Sequence, residues 1–185
     1  VKGHYLPAGV FDQECYMAPP DKDRFDVCFV GSRRYHPEWP YRPKLIDWLE
    51  NTYKGRFRLY GQDGLGVRRG EALNQTYANS RVVVGDTLCL GYNYPDYWSD
   101  RIYETTGRGG FLIHPRIEGI SSQFVDGEEV VFYDYDNFPQ LKSLIDYYLA
   151  NPEEREAIRK AGHERTRNNH TYKHRWQTIL KELGL

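Results

Sequence analysis

The sequence predicts an α/β domain in which a parallel β-sheet carries helices on both faces. Short apolar runs that end in glycine or a charged residue alternate with segments of helical periodicity along the first 134 residues. The runs are almost continuously apolar, which is typical of strands buried on both faces of a parallel sheet. Three more segments with a helical pattern close the chain. This alternation favours a sheet covered by helices on each side.

The first half of the chain contains three predicted strands. Residues 25–31 (FDVCFVG) form a β-branched and aromatic run that ends in glycine. A helix follows at 42–53, where Leu45, Ile46, Trp48 and Leu49 share one face. The remaining predicted elements of this half are a strand at 56–61, a short helix at 71–80 and a strand at 81–86.

The second half continues the alternation and ends in helices. A short helix is predicted to begin near Ser99, followed by strands at 110–114 and 128–134. The three closing helices are expected to begin at capping residues, which are Asp136 or Asn137 before Pro139, Asn151 before Pro152, and Thr171. Gly162 lies inside or near the end of the second of these helices, where a break would let the chain turn.

Length and charge limit what such a domain can do. The 185 residues, of which 39% are hydrophobic, are enough for one globular domain. With 25 basic and 26 acidic residues the net charge is -1, so no basic field of the kind used by nucleic-acid-binding proteins is expected. The three cysteines, Cys15, Cys28 and Cys89, lie far apart and are interpreted as reduced thiols.

Neither a membrane-spanning run nor a signal peptide is visible. We therefore expect a cytoplasmic location, with any contact to a membrane made through the rest of a longer protein. The chain opens on Val1 and a proline-containing stretch, which favours a piece of such a protein. Residues 1–24 are expected to be an interdomain linker or N-terminal extension, and residues 25–185 the domain.

Ligands of open parallel sheets bind beyond the carboxyl ends of the strands. In this chain the rule selects four segments, 31–34, 61–70, 85–87 and 96–110, which we expect to lie along one edge of the sheet.

The first segment is rich in glycine and cations. Gly31 and Ser32 would let the backbone turn closely beneath a ligand. The cations near the following helix start are Arg33, Arg34, Arg42 and Lys44. A diphosphate clamp and a solvated basic loop both fit this pattern. Because no G-x-G-x-x-G fingerprint follows the strand, a dehydrogenase is disfavoured.

The other segments add candidates for a base or sugar. The loop from Gly61 to Gly70, with Arg68, could approach a flat ligand or form a mobile surface loop. Arg101 and Glu104 have i, i+3 spacing, so they could share a ligand or form an intrahelical ion pair. Asp96 lies eight positions before Glu104, and His114 is expected to point from a strand end towards the same edge.

Several motifs in order resemble a known family. R-x-x-E at 101–104 is followed by glycines, by F-x-x-G-x-E-x-V-x-Y at 124–133 and by H-T-Y-x-x-R at 170–175. Upstream, YLPAGVF resembles an interdomain linker and FDVCFVGS a first strand. Together these stretches resemble the glycosyl transferases group-one superfamily, in particular its spore-maturation-protein-like branch.

The resemblance implies the C-terminal, Rossmann-like half of a GT-B glycosyltransferase. Such a half binds a nucleotide-diphosphate sugar, while an N-terminal domain holds a carbohydrate, lipid or protein acceptor, and transfer of the hexose is mostly retaining. Position by position, Glu104 matches the acid that binds the ribose and Asp96 the acid directed at the donor sugar. Asp96 departs from the family's glutamate.

The same resemblance assigns the remaining site residues. Arg33, Arg34, Arg42 and Lys44 lie where related enzymes neutralise the diphosphate, Arg101 would reinforce them, and Arg33 is expected to act in catalysis beside the two acids. Residues 64–70 would border the base, and Gly107 to Gly110 would let sheet and helix pack under the ligand. No cluster with metal-ligand spacing is present, so a reaction without metal or other cofactor is expected.

Two other classes compete with this interpretation. The same domain could serve as a non-catalytic nucleotide- or carbohydrate-binding module of a larger protein. A flavodoxin-like or receiver-like interaction domain is disfavoured, because the first strand ends in Gly-Ser-Arg-Arg and lacks the acidic pair of a phosphoacceptor site.

Overall fold

Five parallel strands form one sheet at the centre of the computed structural model, which describes residues 5–34, 36–92 and 94–185. The strands are β1 (Phe25–Val30), β2 (Phe57–Tyr60), β3 (Ser80–Val84), β4 (Leu112–Pro115) and β5 (Val131–Tyr133). The helices are α1 (Tyr41–Thr52), α2 (Gly70–Asn79), α3 (Arg101–Gly107), α4 (Phe138–Ala150), α5 (Pro152–Asn169) and α6 (Tyr172–Glu182). All neighbouring strands pair in parallel, as the sequence predicts.

Helices cover both faces of the sheet. One apolar core joins Val27 and Phe29 of β1 to side chains of α1 and α4. The other core joins Cys28 to side chains of α2 and α3. The alternation of neighbouring β1 residues between the two cores follows from the two-residue period of a strand. Cys28 is a buried free thiol, as expected, and burial raises its pKa to about 12.

The strand order creates a crevice between β1 and β3. Across the sheet the order is β2-β1-β3-β4-β5, so the chain leaves β1 towards one side for β2 and crosses to the other side for β3. Such a reversal separates the connections beyond the carboxyl ends of the two central strands and leaves room for a ligand. In the described residues the edge is formed by the segments that follow β1, β2 and β3 and by the first turns of the helices.

The closing helices begin where capping residues predict. The side chain of Asn137 accepts a hydrogen bond from the backbone N–H of Gln140 at 3.1 Å. Thr171 and His174 form a reciprocal capping box at the start of α6. Asn151 precedes α5 with Pro152 in first position, but its side chain donates to Tyr147 O at 2.8 Å and does not cap α5.

Gly162 does not interrupt α5, so the predicted break is wrong. The helix continues from Pro152 to Asn169. A Cβ atom at position 162 would overlap the backbone oxygen of Glu129. The glycine is therefore explained by close packing of α5 against the turn before β5.

The segment before β1 packs on the C-terminal helices. Val10 donates to His170 O at 3.1 Å and accepts from Tyr172 N at 2.9 Å. Cβ atoms at Gly107 and Gly109 would collide with Val10 and Met17 of this segment. Gly107 and Gly109 lie at the end of α3 away from Arg101, and they make room for residues 5–24. A Cβ at Gly110 would stand 2.7 Å from Thr105 of α3 and 3.3 Å from Val83 of β3, so this glycine lets helix and sheet pack closely, as expected. Residues 1–4 of the predicted linker lie outside the described residues.

Candidate nucleotide-binding site

The crevice between β1 and β3 holds a buried charge cluster centred on Asp86. This residue follows β3 directly after Gly85, and only 1% of its surface is exposed. Arg42, in the first turn of α1, donates from Nε to Asp86 Oδ2 at 2.6 Å. Arg101, the first residue of α3, donates from Nη1 to Asp86 Oδ1 at 2.8 Å. One carboxylate therefore holds guanidinium groups from helices on the two faces of the sheet.

The cluster carries a net positive charge at the edge where ligands of parallel sheets bind. Two guanidinium groups meet one carboxylate, so an anion would satisfy the remaining charge. Both groups also lie over the Phe29 ring, with Arg42 Cζ at 5.9 Å and Arg101 Cζ at 5.8 Å from its centroid. Packing and hydrogen bonding together fix the two arginines before any ligand arrives.

Gly31 brings the backbone of β1 close to this cluster. Its φ of +149° lies in the region that favours glycine, and a Cβ there would stand 3.2 Å from Arg101 Nη1. Arg42 Nη1 donates to Ser32 O at 3.5 Å. Gly61, after β2, faces Gly31 so closely that a Cβ would lie 2.6 Å from Gly31 O. Gly31, Ser32 and Gly61 therefore lie close together beside the two arginines.

Glu104 lies one turn along α3 from Arg101 and does not pair with it. Within the described part of the chain, its carboxylate has no hydrogen-bonded or ion-paired partner. The intrahelical ion pair that the i, i+3 spacing allowed is therefore absent, because Arg101 binds Asp86 instead. Burial, and secondarily Asp100, raises the pKa of Glu104. A half-buried carboxylate without a partner is available to accept hydrogen bonds from a ligand.

His114, on β4, is fully buried below the carboxyl edge of the sheet. Its Nδ1 donates to Pro115 O at 2.8 Å, while Nε2 has no hydrogen-bond partner among the described residues. Burial lowers the pKa of His114 to about 4, so the ring is neutral at pH 7. A Cβ on Gly85 would stand 2.9 Å from His114 Cδ2, so the ring supports the backbone that leads to Asp86.

Two of the other predicted cations, Arg33 and Lys44, are held by acidic partners. Arg33 pairs with Asp47 and, at 2.6 Å, with Glu50, both on α1. Lys44 Nζ lies 2.7 Å from Asp136. The structure thus brings Arg42 and Arg101 together on Asp86. Arg33 and Lys44 instead form ion pairs with other acidic residues.

Three further candidates lie on loops. Arg34 is exposed on the loop after β1, and Arg68 lies over the Tyr60 ring with Cζ at 5.2 Å from its centroid. Asp96 occupies an exposed turn with φ +60°, donates from its backbone N to Glu118 O at 3.0 Å and points its carboxylate at Gly119. Within the described residues no hydrogen bond joins Asp96 to Asp86 or its arginines.

Asp86 is the residue that sequence reasoning misses. The rule for parallel sheets selects segment 85–87 as part of the ligand edge, but it singles out no side chain there. The signal is an acidic residue placed directly after an apolar strand, next to the point where the strand order reverses. In the part of the chain described, no group of three or more His, Cys, Asp or Glu residues is arranged to hold a metal ion, and no helix is long and apolar enough to cross a membrane.

The strand order and the helices on both faces define a Rossmann-like α/β domain. The sequence model of a family described as glycosyl transferase-like matches residues 33–181. The chain therefore belongs to the glycosyl transferase-like family. No curated protein matches the sequence.

Solved structures show the same fold at low sequence identity. Anabaena HepE in complex with UDP-glucose aligns with TM-score 0.69 and 13% identity over 95% of this chain and 56% of its own. Sucrose-phosphate synthase of Thermosynechococcus elongatus aligns with TM-score 0.67 and 16% identity over 96% of this chain and 51% of its own. The C-terminal domain of the glycosyl transferase group 1 protein LpcC of Francisella tularensis aligns with TM-score 0.57 and 12% identity over 85% of this chain and 96% of its own.

The chain thus spans about half the length of HepE and of the sucrose-phosphate synthase, and it compares in extent with the isolated C-terminal domain of LpcC.

Proposed function

We propose that this chain is the donor-binding half of a GT-B glycosyltransferase of the spore-maturation-protein-like branch, and that it binds a nucleotide-diphosphate sugar. The observation that carries the proposal is the pair of guanidinium groups held on buried Asp86 at the β1–β3 crevice, with the unpaired carboxylate of Glu104 one helical turn away. This part of the crevice therefore combines cations that could bind a diphosphate with a carboxylate that could accept hydrogen bonds from ribose hydroxyl groups.

The two arginines would bind the diphosphate. Charge-assisted hydrogen bonds from guanidinium groups to phosphate are among the strongest in proteins, and planar forks can contact two oxygens at once. Arg42 and Arg101 each donate one hydrogen bond to Asp86 and belong to helices that begin at this edge. The ribose would then lie towards α3, where Glu104 accepts hydrogen bonds from its hydroxyl groups.

The chemistry follows from where negative charge develops. When the bond between sugar and phosphate breaks, charge accumulates on the leaving nucleoside diphosphate, and preorganised cations stabilise that state more than the ground state. Arg42 and Arg101 need no reorganisation, since Asp86 and Phe29 hold them in place. In this proposal transfer of a hexose proceeds with retention and without a metal, and Asp96 and Arg33 keep their predicted catalytic roles.

The acceptor would be held by another part of the protein. The chain covers only about half the length of HepE and of sucrose-phosphate synthase. HepE binds UDP-glucose in its solved complex, which favours a nucleotide sugar as the ligand class here. A carbohydrate, lipid or protein acceptor would meet the donor at the same edge in the cytoplasm. By itself this chain should bind donor and transfer slowly or not at all.

A nucleotide titration tests the proposal. UDP, GDP, ADP and dTDP are added to the purified chain while its melting temperature and the heat of binding are recorded. Binding to the folded state raises the melting temperature by linkage. Arg101→Gln should weaken the best ligand about tenfold or more, the loss of a charge-assisted hydrogen bond.

Arg56→Gln is the matched control, since Arg56 is an exposed arginine paired with Asp26 at the start of β2. It should leave nucleotide affinity unchanged. If none of the four nucleotides shifts the melting temperature at millimolar concentration, the proposal is wrong.

A further inference from the structure

A cavity opens directly beside the charge cluster. It measures about 220 Å³ and lies between the start of α1 and the segment that follows β3. Arg42 and Asp86 form its floor together with Thr87. Its volume is below the roughly 300 to 1,000 Å³ of sites for drug-sized ligands, so it suits a single small ring.

Aromatic side chains form the walls. Trp39 and Tyr92 meet edge to face with centroids 4.8 Å apart, and Tyr41 and Tyr135 lie 4.9 Å apart on the other side. The Tyr41 hydroxyl is fixed by Tyr133, at an O–O distance of 2.8 Å. Rings held in this way present apolar faces that can pack on the C–H groups of a sugar.

Thr87 supplies an unused polar group at the floor. The residue is 4% exposed, and its Oγ1 has no hydrogen-bond partner among the described residues. Buried hydroxyl groups are almost always paired, because leaving one unpaired costs free energy. A ligand hydroxyl group would satisfy it.

The charges of the cavity favour a neutral ligand. Among its described lining residues only Arg42 and Asp86 are charged, and they bind each other. In the proposed mode the remaining N–H groups of Arg42 bind the diphosphate, so this part of the wall has no side-chain charge left to compensate a carboxylate or an ammonium group on the ring.

The cavity lies on the opposite side of the Asp86 cluster from Glu104. Glu104 belongs to α3, which packs on one face of the sheet, whereas the cavity adjoins α1 on the other face. The Asp86 cluster stands between them and contacts both helices. A nucleotide sugar crossing the edge would place its ribose near Glu104, its diphosphate on the arginines and its sugar in the aromatic cavity.

From these observations we infer that the cavity lined by Trp39, Tyr41, Thr87, Tyr92 and Tyr135 is the subsite for a neutral hexose of the donor. The inference rests on the proposed function and adds the position and chemical class of the sugar. Stacking on Trp39 and a hydrogen bond to Thr87 would make this subsite distinguish sugars.

Calorimetric titration of the whole chain tests the inference. The nucleoside diphosphate found to bind is compared with its conjugates to glucose, galactose, mannose and glucuronate. Trp39→Ala should weaken the best neutral conjugate by about three- to tenfold, as expected for a lost aromatic contact, and leave the free nucleoside diphosphate unchanged. Trp39→Phe should restore most of the difference. Thr87→Val should act like Trp39→Ala.

Trp176→Ala and Thr178→Val are the matched controls, because both residues lie on α6 away from the cavity and are exposed. They should change neither affinity. Equal weakening of conjugate and free nucleotide by Trp39→Ala would place the base in the cavity and overturn the inference. Glucuronate bound as well as the neutral sugars would overturn it too. Failure of the wild-type chain to bind any nucleoside diphosphate would instead refute the proposed function, and the sugar subsite with it.

Discussion

Arg42 and Arg101 come from helices on opposite faces of the sheet, and both bind the carboxylate of Asp86. The donor–acceptor distances are 2.6 and 2.8 Å, and Asp86 is almost completely buried. The three residues are far apart in sequence, so the cluster exists only when β3, α1 and α3 are assembled. The same contacts therefore stabilise the domain and fix the two guanidinium groups at the carboxyl edge of the sheet.

Replacing Asp86 by Asn should destabilise the fold strongly. Arg42 is 6% exposed and would lose its buried countercharge. Breaking one partner out of a buried ion pair typically costs about 3 to 5 kcal/mol. Urea unfolding followed by circular dichroism measures the loss.

Asp134→Asn provides the comparison, because Asp134 forms an exposed ion pair with Arg116. That change should cost less than about 1 kcal/mol. If both variants unfold at the wild-type midpoint, Asp86 is not the structural centre of the cluster.

Glu104→Gln should move stability and affinity in opposite directions. The carboxylate is half-buried, unpaired and has a raised pKa, so at pH 7 its charge is a cost to the folded state. Neutralising it should keep or raise the free energy of unfolding, by about 0.5 kcal/mol. Nucleoside diphosphate binding should weaken about tenfold, since hydrogen bonds to a charged group are lost.

Inorganic diphosphate, which lacks the ribose, shows whether Glu104 acts on the ribose or on the diphosphate of the ligand. Its affinity should be the same for wild type and Glu104→Gln, because only the ribose contacts Glu104 in the proposed mode. Glu153→Gln, on the exposed first turn of α5, serves as the control. Equal weakening of nucleotide and diphosphate would mean that Glu104 acts on the arginines and not on the ribose.

The strands can be predicted because burial on both faces makes their apolar runs continuous. The prediction is least accurate at β5, where the strand is limited to Val131–Tyr133. Glu129 N and Val130 N donate to Val125 O, so a tight turn takes up the residues before it. Turn geometry of this kind depends on backbone hydrogen bonds that an apolar pattern does not reveal.

The site is predictable only in part. The position of Arg42, Arg101 and Glu104 at the carboxyl edge follows from strand order and helix starts. Their partners do not, because Asp86 reaches Arg42 across 44 positions of sequence. For the same reason the sequence does not show that Arg33 is engaged by two acids of α1. Pairing between charges is decided by tertiary structure.

His114 should make the domain less stable as the pH falls. Its pKa is about 4 in the folded state and returns to the ordinary value of 6.5 when unfolding exposes the ring, so between these values the unfolded chain binds more protons. The contribution of neutral His114 to the free energy of unfolding is fully present above pH 6.5 and is lost as the pH falls towards 4. In total it is on the order of 3 kcal/mol. His170, whose pKa burial also lowers to about 4, acts in the same direction.

Urea unfolding is measured at intervals from about pH 4.5 to 7.5, the range in which titration of a buried imidazole changes the free energy of unfolding. His114→Gln should show a flatter profile, so that its deficit against wild type shrinks as the pH is lowered. Parallel profiles for wild type and His114→Gln would contradict the assignment.

Gly162→Ala should destabilise the protein although the residue lies inside a helix. Alanine in a helix interior is normally favoured over glycine by about 1 kcal/mol. Here the added Cβ would overlap the backbone oxygen of Glu129, which cannot rotate away as a side chain would. Moving α5 from the turn before β5 should cost about 1 to 3 kcal/mol, the usual range for overpacking. Ala161→Gly, at the preceding position, measures the propensity effect alone and should cost about 1 kcal/mol. A higher free energy of unfolding for Gly162→Ala would show that helix propensity, and not packing against Glu129, governs this position.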